Sequence, residues 1–284
     1  MSNKKVTLRC KDFTVSNESF DLVLDQTLEM LITTPQPSLK DLGKYYESEF
    51  YISHTDSKQS LFDKAYQFIK TITIRQKVKL IKKQTEFLSQ DKSLLDIGCG
   101  TGDFLVACKN HQWKITGVEP NAKARDNAEL KSGKLIVSDV LEIENQTFDC
   151  ITMWHVLEHV PDLKNYIASL KKILKPNGVL FVAVPNYKSF DAQFYKEFWA
   201  AYDVPRHLWH FSKKSISLLF KIEKMKVVKM IPMKFDSYYV SLLSEKYKTG
   251  FSNPIRAFVT GFRSNLYAKR TGEYSSIIYV IKNK

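Results

Sequence analysis

The stretch Leu94-Leu95-Asp96-Ile97-Gly98-Cys99-Gly100-Thr101-Gly102-Asp103-Phe104-Leu105 constrains the fold more than any other part of the chain. A short apolar run carrying one acid passes through three glycines in five positions and re-emerges with helical apolar spacing. That is the pattern of a strand, a tight loop and a helix. Glycine reaches positive φ without strain and lets a ligand approach the backbone, and the first turn of the helix offers N–H groups with no partner inside the helix. The spacing Gly98-x-Gly100-x-Gly102 lacks the wider gap that the dinucleotide fingerprint keeps before its third glycine, so a pyrophosphate is not the expected ligand.

From residue 93 strands and helices alternate, which implies a parallel sheet covered on both faces. Strand one is 93–97 with a helix at about 102–110, strand two is Lys114–Glu119, a helix opens at Asn121 and ends at Gly133, and strand three is Leu135–Val137. Strand four is Phe148–Met153, and a helix through Tyr166 and Leu174 ends at Lys175-Pro176-Asn177-Gly178 ahead of strand five, Val179–Val184. A helix from Ser215 to about Lys224 precedes strand six, Lys226–Ile231. Residues 238–270 read as helical with a break at Asn253-Pro254, and Ser275–Ile281 makes a seventh strand. Glu119 ends strand two about 20 residues beyond the glycines, where a carboxylate accepts both ribose hydroxyls of a nucleoside. Ligands of open α/β sheets sit beyond the carboxyl ends of the strands, so Met153 and Trp154 are expected to border the ligand.

With Asp96 ahead of the glycines, the run D-I-G-C-G-T-G resembles motif I of the class I S-adenosylmethionine-dependent methyltransferases. The resemblance covers residues 90–235 well. It implies a seven-stranded, Rossmann-like, doubly wound α/β sheet whose last strand lies antiparallel between strands five and six. It also implies S-adenosyl-L-methionine as cofactor and S-adenosyl-L-homocysteine as product. The cofactor residues it points to are Asp96, Gly98, Cys99, Gly100, Gly102, Glu119, Pro120, Asp139, Val140, Met153 and Trp154. In that family the glycines pass the methionine part, and the acid before them steadies the loop and the cofactor's amino group. By position, Glu119 takes the ribose, Asp139 meets the adenine amino group, and Val140 offers its backbone N–H to the ring.

The segment Trp154-His155-Val156-Leu157-Glu158-His159-Val160-Pro161-Asp162 resembles the one in quinone-biosynthesis O-methyltransferases, where E-x-x-E-H-V-P-D includes acids and a histidine that can hold a divalent metal. Here His155 replaces the first acid. On a helix His155, Glu158 and His159 would share a face, so they are either a metal set or a helix start with structural hydrogen bonds. After strand five the family usually inserts its substrate-binding segment. Here that is Phe190 to Phe211, aromatic-rich with a few polar anchors, as suits an apolar pocket. Trp199, Tyr202, Arg206 and His207 are its candidate substrate residues. Methylating a hydroxyl needs a proton acceptor, and histidine titrates in the right range. His207 and His210 are the main base candidates and His155 a third; either of the first two may instead pin the loop.

Residues 1–59 read as a separate arm and 60–284 as the methyltransferase domain. The arm has two or three short strands in residues 4–34 and a helix capped by Ser38. Thr34-Pro35-Gln36-Pro37, Tyr45-Tyr46 and Tyr51-Ile52 resemble a zinc-bearing N-terminal module of some methyltransferases, but of its cysteine ligands only Cys10 remains, and one thiolate cannot make a zinc site. The arm is therefore expected to be a metal-free remnant packed on the catalytic domain or covering its cleft.

Lys plus Arg number 43 against 30 acids, a net charge of +13, which favours anionic partners. The basic helical stretches at 60–83 and 238–270 suit either water or peripheral contact with a membrane. No apolar leader or spanning run is present and the four cysteines are scattered, so a cytoplasmic protein with reduced thiols is expected. The charge also suits an RNA methyltransferase. Against that, strand four ends Met153-Trp154-His155-Val156, without the Asn-Pro-Pro-aromatic tetrad of enzymes that methylate exocyclic base amines. A third reading is a non-catalytic module that binds the cofactor. The expected acceptor is a small or amphiphilic molecule whose oxygen attacks the methyl group.

Overall fold

The computed structural model describes residues 6–46, 61–88, 91–143 and 145–284; Tyr51 and Ile52 of the arm motif lie outside them. At the amino end β1 (Val6–Lys11), β2 (Ser19–Asp25) and β3 (Met30–Thr34) form an antiparallel meander. Asp12 organises the turn after β1, its carboxylate accepting the amides and hydroxyls of both Thr14 and Ser16. Ser38 caps a short helix, α1 (Leu39–Leu42), by accepting the Asp41 amide.

The fourth strand of this sheet comes from far along the chain. β9 (Trp209–His210) pairs antiparallel with β3, setting Leu31 against His210 and Ile32 against Trp209. Phe20, Leu22, Leu31 and Tyr45 of the arm share a buried cluster with Tyr195, Trp199, Tyr202 and Val204 of the insertion. The arm, read from sequence as standing outside the core, is thus built into the segment that follows strand five. Cys10 lies in this cluster, where burial pushes its thiol up to about 12.

The main sheet has seven strands in the order β10-β11-β8-β7-β4-β5-β6. β4 (Ser93–Ile97), β5 (Lys114–Val118), β6 (Ile136–Val137), β7 (Phe148–Trp154) and β8 (Leu174–Pro185) run parallel. β11 (Ser276–Asn283) is antiparallel to β8 on one side and to β10 (Met225–Pro232) on the other, the placement expected of the last strand. β8 begins five residues before the expected Val179, because the chain turns directly from helix to strand at Leu174, which pairs with Phe148 ahead of a register irregularity.

Alternation along β8 shows how the sheet is covered. Leu180, Val182 and Val184 face one layer with α5 (Leu163–Ile173) and α7 (Lys213–Ile222). Val179, Phe181 and Ala183 face the other, with α2 (Leu61–Gln84), α3 (Asp103–Asn110) and α4 (Ala122–Ser132). A strand buried on both faces must read as a continuous apolar run, as Val179–Val184 does. The insertion is structured: α6 (Phe190–Tyr195), two tight turns, then β9. α8 (Asp236–Thr249) and α9 (Pro254–Thr271) form a helical hairpin between β10 and β11.

Candidate active site

The glycine loop lies where β4 hands over to α3. Gly98, Gly100 and Gly102 have φ of +71°, +55° and +80°, conformations a side chain strains. The three differ in what surrounds them. A Cβ on Gly102 would meet the Ala128 backbone of α4 at 2.9 Å, and one on Gly98 would meet Val156 at 2.5 Å, whereas one on Gly100 would meet nothing within 4 Å. Gly102 therefore lets α3 and α4 close together, while Gly100 opens onto space. Asp103, in the first turn of α3, ties this corner together through Lys70 of α2 (2.6 Å) and Lys131 of α4 (3.0 Å).

Glu119, just beyond β5, points back at the loop. One carboxylate oxygen accepts the Gly100 amide at 2.8 Å and the other the Asn121 amide at 3.0 Å. A carboxylate has about four acceptor positions, so two remain. Pro120 is exposed beside it, and its carbonyl and that of Glu119 accept from Arg125. After β6, Asp139 caps a single tight turn by accepting the Leu141 amide, and the Val140 side chain is buried.

Asp96 is fully interior. It accepts the Thr152 hydroxyl at 2.6 Å, and burial pushes its carboxyl up to about 7 despite that bond and the positive charge of Lys77. Lys77 belongs to the basic series that sequence placed on a solvated helix face. In the structure its ammonium instead sits 4.4 Å from the Trp154 ring centre. Trp154 packs edge-on to Phe104, and its buried indole N–H has no partner among the described residues. Met153, expected to border the ligand, has its side chain wholly buried in the core of the sheet. The Cys99 side chain is also interior, and burial raises its thiol far above the usual range.

At the end of β7 the expected helix start is a tight turn, Leu157–His159, entered through His155 at φ +58°. His155, Glu158 and His159 therefore do not share one helical face. The His155 ring lies between two carboxylates, with Nδ1 3.3 Å from Glu158 and Nε2 3.1 Å from Asp236 at the start of α8. Burial works against its charge, yet the two acids push its pKa up to about 10. Held protonated, it has no lone pair with which to act as a base.

Glu158 is completely buried, and neither carboxylate oxygen has a hydrogen bond of normal geometry among the described residues. Burial opposes its ionisation, but the contact with the protonated His155 ring holds it below the usual carboxylate range. Ligand atoms of Glu158, His159 and His207 lie within 4.8 Å of one another. His159 Nδ1 donates to the Arg206 carbonyl at 3.0 Å and His207 Nδ1 to the Ala201 carbonyl at 2.9 Å. A carbonyl only accepts, so each bond fixes the tautomer and leaves Nε2 of the neutral ring with a lone pair.

The rest of the insertion's expected substrate set faces inward. Trp199 is buried and donates its indole N–H to Asp191 at 2.7 Å, Tyr202 packs edge-on to Trp199 and His210, and Arg206 is spent on Asp12, Asp203 and the Tyr45 carbonyl. His210 meets the Thr33 hydroxyl at 3.0 Å inside the small sheet. These residues cement the arm to the insertion. Two groups that sequence did not single out, Lys77 and Asp236, stand at the cleft in their place.

A seven-stranded sheet with β11 inserted antiparallel, a glycine loop after β4 and an acid after β5 define a Rossmann-like domain of the kind that holds a nucleoside cofactor. Residues 68–223, more than half the chain, match the family model described as a methyltransferase domain, and the chain belongs to that family. It is a class I S-adenosylmethionine-dependent methyltransferase. The chain is 41% identical over 109 residues to the ubiquinone biosynthesis O-methyltransferase of Actinobacillus pleuropneumoniae serotype 7, covering 34% of this chain and 46% of that protein. It is 38% identical over 114 residues to the Pasteurella multocida enzyme of the same name, covering 34% and 47%. The match thus spans about half the length of these relatives. In fold the chain is similar to magnesium protoporphyrin IX methyltransferase from Synechocystis PCC 6803 with bound S-adenosylhomocysteine, at a TM-score of 0.57 and 12% identity over 86% of this chain and 100% of that one.

The loop geometry makes a direct prediction. Gly102→Ala puts a methyl against the Ala128 backbone at positive φ and is expected to cost about 2–4 kcal/mol of stability. Gly100→Ala meets no protein atom, so it is expected to cost only the strain of its φ, about 1 kcal/mol, while lowering cofactor affinity at least about tenfold. Thermal unfolding and cofactor titration of the two variants check the pair.

Proposed function

We propose that this enzyme moves the methyl group of S-adenosylmethionine to an oxygen of a small or amphiphilic acceptor by in-line displacement. The observation that carries the cofactor half is the Glu119 carboxylate, which braces the loop at Gly100 while keeping two acceptor positions for the ribose hydroxyls. In this reading the methionine end lies along Gly98–Gly102 in the space above Gly100. Asp139 and the Val140 N–H face the adenine, and Trp154 walls the sulfonium end. Asp96 acts from below the loop through Thr152, and does not reach the cofactor as a first contact.

The acceptor half rests on the group beside β7. His207 is the proton acceptor, its Nε2 carrying the lone pair once Nδ1 is fixed on the Ala201 carbonyl, with Asp203 Oδ2 4.0 Å from that nitrogen to take up the charge it gains. His155 serves as a fixed positive charge between Glu158 and Asp236, and His210 as a structural tie. The residues also fit a divalent ion: a buried carboxylate with no hydrogen bond of normal geometry, its charge met on one side by His155, and two histidines oriented by backbone carbonyls are the usual making of a ligand set. Glu158, His159 and His207 would hold it, in place of the His155, Glu158 and His159 set that is one of the two sequence readings. When bound, such an ion supplies Lewis-acid polarisation of the acceptor oxygen. The two roles of His207 compete for one lone pair, so activity that rises with added Mn2+ or Zn2+ assigns it to the ion.

We read residues 1–59 as an arm whose described part, 6–46, is fused to the insertion within one catalytic unit, since β3 and β9 share a sheet. The supporting experiment is transfer of tritiated methyl to fractionated cell extract. The label is expected in the lipid and small-molecule fraction, and label confined to RNA would replace this acceptor class with nucleic acid.

A further inference from the structure

α9 is amphipathic in the reverse of the usual sense. Its buried stripe consists of small residues, Ala257, Thr260, Gly261, Ser264 and Ala268. They let it close tightly on α8: a Cβ on Gly261 would fall 2.9 Å from the Tyr238 backbone, and the Ser237 hydroxyl donates to the Gly261 carbonyl. Its large apolar side chains point the other way. Ile255, Phe258, Val259, Phe262 and Leu266 are each about half to three-quarters exposed, and Phe251 projects from the tip of the hairpin at 65% exposure. At 100° per residue the five α9 side chains occupy an arc of roughly 100°. Arg256, Arg263 and Arg270, seven positions apart, run along one edge of that arc, Arg256 3.8 Å from Glu245 and Arg263 over the Phe190 ring, and all three are exposed.

A contiguous apolar stripe of this size on an isolated chain marks an interaction surface. Its flanking charge is basic, on a chain of net charge +13, so the complementary surface is anionic. The stripe is a projecting helix, and no described helix is long and apolar enough to cross a bilayer. These features match a helix lying in a membrane interface, apolar face down and arginines at headgroup level. α8 begins at Asp236, which holds His155, so the hairpin is rooted at the mouth of the acceptor side.

We propose that the α8–α9 hairpin docks the enzyme on the surface of an anionic phospholipid bilayer, with α9's outer face at the acyl boundary. This goes beyond the methyl-transfer reading and does not depend on it.

The test is co-flotation of the full chain with vesicles of phosphatidylcholine plus phosphatidylglycerol, and with phosphatidylcholine alone. Binding to the anionic vesicles is expected, weakened about 100-fold by Phe258→Ser/Phe262→Ser and at least about 30-fold by Arg263→Glu/Arg270→Glu, the second change also lowering the salt dependence. The substituted positions are exposed, and cofactor titration of the same variants, expected unchanged, reports that they are folded and separates this result from the fate of the methyl-transfer reading. Absence of binding to anionic vesicles, or binding that the Phe258→Ser/Phe262→Ser variant retains, overturns the proposal. So does a dimer in sedimentation velocity that the same variant breaks while vesicles are not bound, which gives the face to a second copy.

Discussion

Replacing Arg206 by alanine is expected to lower stability by about 3–5 kcal/mol, an unfolding midpoint lower by roughly 10 °C. The guanidinium is 1% exposed and is shared among three pieces of backbone: it donates to Asp12 at 2.9 Å in the turn after β1, to Asp203 at 2.7 Å in the insertion, and to the Tyr45 carbonyl at 3.0 Å. Removing it leaves the wholly buried Asp12 carboxylate without a counter-charge, and an unpaired buried ion is costlier than no ion at all. Asp12→Asn/Arg206→Met should therefore be more stable than Arg206→Ala alone, an outcome a generic packing defect would not give. The pH dependence carries the same signature. Burial by itself would raise the Asp12 pKa, but Arg206 and the Ser16 and Thr14 amides hold it well below the ordinary carboxylate range. A depressed acid contributes stability that is full above its unfolded-state pKa, about 4, and is lost only as pH falls through the folded value. Acid unfolding of the wild type should thus show a contribution from this site that Arg206→Ala lacks, read by circular dichroism from pH 7 downward.

The second large effect concerns affinity. Glu119→Ala removes the acceptor of the Gly100 amide and, in the proposed pose, of two ribose hydroxyls. Hydrogen bonds to a carboxylate contribute about 1.5–3 kcal/mol each, and part of that total is recovered by water entering the gap. A net loss near 3 kcal/mol corresponds to roughly 100-fold in affinity. Glu119→Gln keeps one acceptor oxygen for the loop and should fall between. Glu119 is partly exposed and pairs with no buried charge, so stability should change little.

What could be read from the sequence was local. The glycine spacing fixes backbone conformations within a few residues, and Glu119 falls in register because a parallel strand must end beside its neighbour, Ile97 against Val118. The order of seven strands followed from apolar runs separated by helical periods. What could not be read was long-range pairing. Arg206 was visible as a charged group in an aromatic segment, but Asp12, 194 positions away, turns it from a substrate anchor into a structural tie. His155 was visible as a departure from a metal motif, but Asp236, 81 positions on, is what holds its proton. Lys77 sits in a run of bases whose helical face looked solvated, until α2 is laid on the sheet and that position turns in over Trp154. Periodicity showed helical sequence over 238–270 with a break at Asn253-Pro254, but only packing against α8 shows which side of α9 faces outward, since the small residues pack inward and the large ones do not.

Calorimetric titration of S-adenosylmethionine into the wild type and Glu119→Ala, with unfolding midpoints recorded alongside, bears most directly on the cofactor site. The expected result is one-site binding by the wild type and affinity lower by roughly 100-fold in the variant at an unchanged midpoint. Equal affinity in the two proteins would contradict the placement of the ribose on Glu119, and no binding by the wild type would contradict the site as a whole.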